Sequence, residues 1–189
     1  GTSTHFMEGV VDMMLDATKD PDVPIDRERL FGWHASLFPT GRSGSYSITV
    51  GSYRKSDVQV ISGPIGREKV HFIAPPAGDV NDLMEEFLYW FNHSTGISCM
   101  IRSAISHLIF VSIHPFDDGN GRIGRAIADM ALSGIDGGRG SFFSMSREIE
   151  KEKKDYYAIL EKTQRFTPDG DITVWLEWYV GCLGRAVED

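Results

Sequence analysis

Apolar residues recur at helical spacing along most of the chain and predict a mainly α-helical fold. Asp26 is a candidate N-cap, and Pro39 with Gly41 ends the helix that follows it. Gly134 ends another helix in the same way. The predicted helices cover about residues 6–18, 26–38, 79–93, 99–113, 121–132, 146–165 and 172–187.

The predicted helix at residues 99–113 is apolar on almost all of its faces. A helix of this kind is buried at the centre of a bundle. It ends at His114, because Pro115 disfavours helical geometry in the residue before it.

The pattern changes in about residues 44–75, where glycine, serine and proline separate short β-prone runs. Val58–Ile61 and Val70–Ile73 flank residues 63–69, with the sequence GPIGREK. This arrangement predicts a β-hairpin or an extended flap. The predicted architecture is therefore a helical bundle with one β excursion.

Composition and charge narrow the range of functions. The chain has 189 residues and a net charge of −8, from 27 acidic and 19 basic side chains. That length suits one domain over residues 1–189. The negative charge argues against non-specific nucleic-acid binding, and no apolar run reaches the length of a membrane span. Neither a nucleic acid nor a membrane is an expected partner.

The cysteines and the first residue bear on the cellular setting. Cys99 and Cys182 are far apart in apolar, helix-like contexts, which predicts buried reduced thiols and a cytoplasmic location. The chain begins with Gly1 rather than methionine, so it is expected to be a fragment of a longer protein.

Residues 114–125, HPFDDGNGRIGR, crowd turn-forming and charged side chains beside the apolar helix. Asn120 is a candidate N-cap of the next helix, whose first backbone N–H groups and macrodipole form an anion site. The glycines on either side of it let a ligand approach the backbone closely. Arg122 and Arg125 share a helix face and suit bidentate binding of phosphate.

Two further residues of this segment carry chemistry. Asp118 would repel bound phosphates unless a cation bridged the two, and Mg²⁺ is the expected cation because it takes one or two carboxylates plus phosphate oxygens. His114 can be a general base for a hydroxyl, since its ordinary pKa is near neutrality. The segment predicts a phosphate cradle, a metal ligand and a base. A capped helix–turn–helix with solvated charges is the alternative.

The other histidines predict no metal site. His34, His71, His93 and His107 show no ligand spacing. His107 lies on the apolar helix and is expected to be a core histidine.

The segment at 114–125 resembles the signature of the Fic (filamentation induced by cAMP) family, H-x-F-x-[D/E]-G-N-G-R-x-x-R, at every position. The helix and hairpin before it, and the Tyr156–Tyr157 helix after it, follow the Fic order. Residues 31–44 and 174–186 are similar to a bacterial subgroup with an extra N-terminal helical domain, which is not expected in this chain. The resemblance implies a Fic-fold helical bundle with a β-hairpin flap beside the active site.

The resemblance implies a protein adenylyltransferase, which transfers AMP from ATP to a Ser, Thr or Tyr hydroxyl of a target protein, or of itself, and releases pyrophosphate. By resemblance His114 would deprotonate the hydroxyl, and Asp118 would hold Mg²⁺ between the α- and β-phosphates. Phosphate contacts would come from Gly119, Asn120, Gly121, Arg122 and Arg125, and adenine contacts from Tyr157 and Gln164.

The resemblance also implies a docking site for the target. Residues Val60, Ile61, Ser62 and Gly63 lie in the region that corresponds to the Fic flap, which pairs with the target's backbone.

Many Fic proteins are held inactive by a helix bearing [S/T]-x-x-x-E-[G/N], whose glutamate pairs with the second motif arginine, here Arg125. Thr4, Glu8 and Gly9 fit this pattern. So short a pattern arises easily, and the segment continues into what resembles the first core helix. We therefore expect a coincidence, and we expect Glu8→Gly to leave activity unchanged.

Other functions on the same residues stay open. Fic relatives also use other nucleotides, transfer phosphocholine, phosphorylate or remove AMP; the phosphorylating branch carries lysine in the loop, whereas this chain has GNGR. A module that binds nucleotide without transfer is another alternative, although an intact His114 argues against it. The target, the nucleotide preference and the presence of a homo-oligomer are left open by the sequence.

Overall fold

The computed structural model describes residues 2–62, 64, 66–133, 145–165 and 170–188. The helices are α1 (Thr2–Lys19), α2 (Arg27–Leu37), α3 (Val80–His93), α4 (Cys99–Ile113), α5 (Asn120–Leu132), α6 (Met145–Lys151), α7 (Lys153–Arg165) and α8 (Thr173–Glu188). The strands form two antiparallel pairs, β1 (Arg42–Ser43) with β2 (Tyr46–Ser47) and β3 (Gln59–Ser62) with β4 (Lys69–Ile73). The predicted mainly α fold with a β-hairpin is confirmed.

Helix ends test the sequence predictions. Asp26 caps α2 as predicted, because its side chain accepts a hydrogen bond of 2.7 Å from the backbone N–H of Arg29. The single helix predicted over 146–165 is instead two helices, α6 and α7. The predicted end at Gly134 lies outside the described residues.

Helix α4 lies between two apolar cores. Its Phe110 and Ile113 pack with residues of α1, α2, α3 and α5, whereas Ala104 and Leu108 pack with α6, α7 and α8. The prediction of a central buried helix is confirmed. Because α4 is enclosed on both sides, His114 at its C-terminal end stands on a rigid support.

The cysteines and the lengths of the apolar helices can be compared with the sequence predictions. Both thiols are free, and Cys182 is buried as predicted. The prediction of a buried Cys99 is wrong, because Cys99 is the first residue of α4 and is only half-buried at that helix end. Within the part of the chain that the structure describes, no helix is long and apolar enough to cross a membrane.

Helices α1 and α2 come very close together at Gly9. A β-carbon at this position would lie 2.0 Å from the backbone oxygen of Ser36. We therefore expect Gly9→Ala to lower the free energy of unfolding by about 1–3 kcal/mol or more, because only movement of a helix backbone relieves the clash. Urea unfolding measures this loss.

Gly32 in α2 provides the matched control. A β-carbon there would meet nothing within 4 Å, so Gly32→Ala should raise the free energy of unfolding by about 0.5–1 kcal/mol through helix propensity. Equal effects of the two substitutions would contradict the close approach at Gly9.

Candidate active site

His114 caps the C-terminal end of α4 in a left-handed conformation, with φ of 53° and ψ of 57°. Among the described residues it is the only non-glycine residue with positive φ. A left-handed conformation costs an L-residue about 1–2 kcal/mol, so neighbouring groups must hold it. The backbone N–H of His114 donates to the carbonyl of Phe110 at 3.0 Å.

The imidazole of His114 is oriented by a backbone carbonyl. Its Nδ1 lies 3.3 Å from the oxygen of Val111, and a carbonyl can only accept, so we assign the proton to Nδ1. Nε2 then carries the lone pair. Burial lowers the pKa of His114, while the bond to Val111 raises it, and the net shift is downward. At neutral pH this side chain is an uncharged base.

Asn120 closes the loop that follows His114. Its Oδ1 accepts a 2.9 Å hydrogen bond from the backbone N–H of Phe116, and its Nδ2 donates to the oxygen of the same residue at 2.8 Å. Its side chain is buried. The prediction that Asn120 is an N-cap is wrong, because these bonds occupy the side chain, and Gly119 is the cap of α5.

Gly119 is required by its conformation and by its surroundings. Its φ is 88°, and a β-carbon there would lie 2.9 Å from the ring of Phe38. An L-residue with a side chain would be strained and would also clash. The glycine therefore lets the loop turn sharply into α5.

A cavity of about 550 Å³ lies in front of His114. It is bounded by the start of α5, by α7 and by the hairpin β3–β4, which we call the flap. Nine of the residues singled out from the sequence line it, namely His114, Asn120, Gly121, Arg125, Tyr157, Gln164, Val60, Ile61 and Ser62. Gly63, the fourth predicted flap residue, lies outside the described residues.

The two arginines of the motif flank the start of α5 from different sides. Arg125 lines the cavity in front of His114, and Arg122 lines a second cavity, of about 770 Å³, between α1, the end of α2 and β1. The guanidinium of Arg122 lies 4.9 Å from the ring centroid of Phe38 and 3.8 Å from Oδ1 of Asp118. The positive charges thus border the helix N-terminus on two sides.

Asp118 has a half-exposed carboxylate beside this N-terminus. One of its oxygens accepts from the hydroxyl of Ser43, and the other accepts from the N–H of Gly119 at 2.6 Å. No group of three or more His, Cys, Asp or Glu among the described residues could hold a metal ion. A lone carboxylate fits Mg²⁺ where phosphate oxygens and water complete the coordination, as at nucleotide sites.

His34 is a site residue that sequence reasoning missed. It is fully buried, and its ring stacks on Phe116 with centroids 4.2 Å apart. Its Nδ1 accepts from the N–H of Gly51 at 3.2 Å, so Nε2 carries the proton and donates to the carbonyl of Asp118 at 3.1 Å. Because these partners are distant in sequence, no local signal marked His34.

The flap is held to α7 by polar side chains. Nδ1 of His71 lies 2.5 Å from one carboxylate oxygen of Glu161, and Nζ of Lys69 lies 3.2 Å from the other. Gln164, one turn further along α7, donates to the hydroxyl of Ser112 at 3.0 Å. Polar contacts therefore connect α7 to the flap and to α4.

His107, predicted to be a core histidine, is fully buried in α4, with Nε2 2.8 Å from the hydroxyl of Tyr156. The prediction is confirmed. Burial lowers the pKa of His107 to about 4, whereas an unfolded chain has a histidine pKa of about 6.5. Between these values the unfolded state binds the extra proton, so stability falls as the pH drops.

We expect His107 to cost about 3 kcal/mol of the free energy of unfolding between pH 7 and pH 4, from its shift to a pKa of about 4. Urea unfolding at the two pH values measures the loss. His107→Gln keeps an N–H for Tyr156 but does not titrate, so this variant should lose less stability over the same range. An identical pH dependence in the two proteins would contradict the lowered pKa.

The model of the Fic/DOC family matches residues 24–132, which run from just before α2 to the end of α5 and make up more than half of the chain. The chain belongs to the Fic/DOC family. The matched Fic region contains the flap, the loop after His114 and both motif arginines. Tyr157 and Gln164 on α7 lie beyond it.

Two curated Fic relatives illustrate the range of names. A probable protein adenylyltransferase from Aquifex aeolicus (strain VF5) is 29% identical over 145 residues, which cover 66% of this chain and 42% of the relative. A uridine 5'-monophosphate transferase from Xanthomonas campestris pv. campestris (strain 8004) is 33% identical over 117 residues, which cover 58% of this chain and 21% of the relative. The chain thus spans less than half the length of either protein.

A solved Fic structure supports the fold. A Fic family protein from Desulfovibrio desulfuricans G20 is 28% identical, with a TM-score of 0.71, and the match covers 95% of this chain and 50% of that one. The predicted Fic-fold helical bundle is confirmed, and the match extends over nearly all of the chain.

Proposed function

We propose that this Fic domain transfers AMP from ATP to a Ser, Thr or Tyr hydroxyl of a target protein and releases pyrophosphate. The observation that carries the proposal is the uncharged base His114 at the wall of a cavity that also exposes the N-terminal turn of α5 and Arg125. A base and an anion site on one cavity suit the transfer of a phosphorus-containing group to a hydroxyl.

In the proposed reaction, Nε2 of His114 accepts the proton of the target hydroxyl. The hydroxyl oxygen forms a bond to the α-phosphorus, and the bond from the α-phosphorus to the oxygen bridging the β-phosphate breaks. Pyrophosphate leaves with the electron pair of that bond. The backbone N–H groups at the start of α5, near Gly121, stabilise the charge that develops on the α-phosphate.

The charged groups beside α5 would hold the rest of the nucleotide. Arg122 and Arg125 would bind the β- and γ-phosphates through charge-assisted hydrogen bonds. Mg²⁺, held by Asp118 and phosphate oxygens, would neutralise phosphate charge. Tyr157 and Gln164, which line the cavity on the α7 side, would contact the adenine ring of the nucleotide.

The flap would dock the target. Val60, Ile61 and Ser62 line the cavity from β3, and among the described residues β3 pairs with β4 in a two-stranded sheet. An extended target segment can add to the β3 side of this hairpin through backbone hydrogen bonds. This mode reads little side-chain sequence, so the target is not encoded in the flap alone.

The proposal is tested by incubating the protein with Mg²⁺ and ATP labelled at either the α- or the γ-phosphate. We expect label to reach protein from the α-position only. Label from the γ-position would mean phosphorylation. Absence of label, with cell extract as a source of targets and with ATP still bound, would favour a nucleotide-binding module.

Transfer of UMP is the second candidate, because a relative 33% identical to this chain is named as a uridine 5'-monophosphate transferase. The chemistry at the α-phosphorus would be the same, and only the contacts to the base would differ. A competition between α-labelled ATP and α-labelled UTP decides between them. Faster labelling from UTP than from ATP would show that UMP, and not AMP, is the group transferred.

Glu8 is not proposed as an inhibitory residue. The inhibitory glutamate of Fic proteins pairs with the second motif arginine, here Arg125, which lines the cavity of His114. Glu8 lines the other cavity, the one that contains Arg122. Gly9, the next residue of the short pattern, has a packing role against Ser36. We therefore expect Glu8→Gly to leave self-labelling from α-labelled ATP unchanged, and a large increase would show that Glu8 restrains the site.

A further inference from the structure

Arg54 is a buried arginine in the segment between β2 and β3, with 3% of its surface exposed. Its guanidinium donates hydrogen bonds to backbone carbonyls of three separate segments. Nε donates to His114 at 2.7 Å, one terminal nitrogen donates to Ser56 at 2.9 Å, and the other donates to Pro75 at 2.6 Å and to Ile113 at 3.4 Å.

The first segment is the C-terminal end of α4. The last carbonyls of a helix lack intrahelical partners, and they form the negative end of the helix dipole. Arg54 supplies donors and a positive charge to Ile113 and His114 at this end. Its own backbone N–H donates to the carbonyl of Pro115 at 2.8 Å. Arg54 therefore holds the left-handed turn at His114 from outside the helix.

The other two segments are the two ends of the flap. Ser56 precedes β3, and Pro75 follows β4. The N–H of Ala74 also donates to the carbonyl of Val58 at 3.2 Å, which brings the two ends together. The guanidinium of Arg54 thus bonds to the carbonyl of His114 and to both ends of the hairpin at once.

We propose that Arg54 is a positioning residue that fixes the flap relative to His114, so that a hydroxyl on a flap-bound segment reaches Nε2. The proposal rests on the proposed transfer for its kinetic consequence only. The coupling between the flap and the end of α4 is a property of the fold, and it can be measured without any reaction.

The geometry requires arginine rather than any cation. A guanidinium presents five N–H groups in a rigid plane, so it can reach carbonyls on several sides. A lysine has all its donors on one nitrogen and cannot serve three separated segments. Arg54→Lys therefore keeps the positive charge but loses the hydrogen bonds that join the end of α4 to both ends of the flap. Arg54→Met loses the charge and these bonds.

Amide hydrogen exchange and histidine titration by NMR test the proposal on the isotope-labelled chain. Both variants should exchange the amides of residues 59–62 and 69–73 faster than wild type, while the amides of α3 stay protected. The positive charge of Arg54 is one of the factors that lower the pKa of His114, after burial, whereas the nearby carboxylate of Asp118 raises it. The titration of His114 should therefore move to higher pH in Arg54→Met and stay near that of wild type in Arg54→Lys.

Labelling from α-labelled ATP gives the kinetic arm. Both variants should turn over about tenfold to a hundredfold more slowly, the scale expected when a reacting group is misplaced by about 1 Å, with unchanged affinity for ATP. Arg147→Met, at an exposed position on α6, is the matched control and should change neither readout.

Unchanged flap exchange and an unchanged His114 titration in both folded variants would overturn the proposal. If Arg54→Met does not fold, amide hydrogen exchange of the flap in Arg54→Lys tests the proposal by itself. If the wild-type chain labels nothing, the proposed transfer fails, and the NMR measurements still judge the role of Arg54.

Discussion

Replacing His114 by alanine is expected to reduce transfer of AMP by about 10²–10⁴-fold, the usual contribution of a positioned general base. The alanine has no group that can take the hydroxyl proton, whereas the N-terminus of α5 and Arg125 still bind phosphate. Labelling from α-labelled ATP measures the loss, and calorimetric titration with ATP should give an affinity close to that of wild type.

His93→Ala is the matched control, since His93 is an exposed histidine at the end of α3 and should leave transfer unchanged. Transfer that persists in His114→Ala would show that another group is the base. In the wild-type protein kcat/KM should fall with decreasing pH only below the ordinary histidine value of about 6.5, because the pKa of His114 is lowered. If kcat/KM already falls above pH 6.5 as the pH is lowered, the assignment of His114 as the base is contradicted.

Replacing Asn120 by alanine is expected to damage both stability and transfer. The change leaves the buried N–H and carbonyl of Phe116 without their bonds of 2.9 Å and 2.8 Å. Each unsatisfied group costs about 1–3 kcal/mol, and urea unfolding measures the sum. A loop that shifts by about 1 Å should also slow transfer by about 10²-fold.

Asn81→Ala, at an exposed position on α3, controls for the loss of an amide and should change stability by less than about 0.5 kcal/mol. Asn120→Asp keeps an acceptor for the N–H of Phe116, but it loses the donor and places a buried carboxylate beside the carbonyl of Phe116, so it should also be less stable than wild type. An alanine variant as stable as wild type would mean that the loop is held by other contacts.

Local pattern was sufficient for most of the fold. Helices with a strong apolar period were predicted within a few residues, and so was the flap, because its β-prone runs are separated by turn residues. The helix predicted over 146–165 failed, since α6 and α7 have no proline or glycine between them and the division at Glu152 carries no local signal. The N-cap at Asn120 failed because its side chain bonds instead to the backbone of Phe116, four residues earlier in the same loop.

The sequence alone identified the segment at 114–125, since glycines, arginines, an aspartate and a histidine at that spacing suit a phosphate cradle with a base. Residues that are a few positions apart are brought together at a helix end by the geometry of the helix and the turn, so their spacing in the sequence is enough to predict that they meet. The family resemblance rests on the same residues, and the Fic match confirms it.

The tertiary structure alone decided how that segment is supported. His34, Arg54 and Ser43 contact it from more than fifty residues away. His34 and Arg54 bond to backbone carbonyls, which every residue has, so the sequence does not mark these contacts. The tertiary structure also decided that Arg122 and Arg125 border different cavities. Long-range contacts of this kind depend on how helices pack, and packing follows from the shapes of whole faces rather than from any local run of residues.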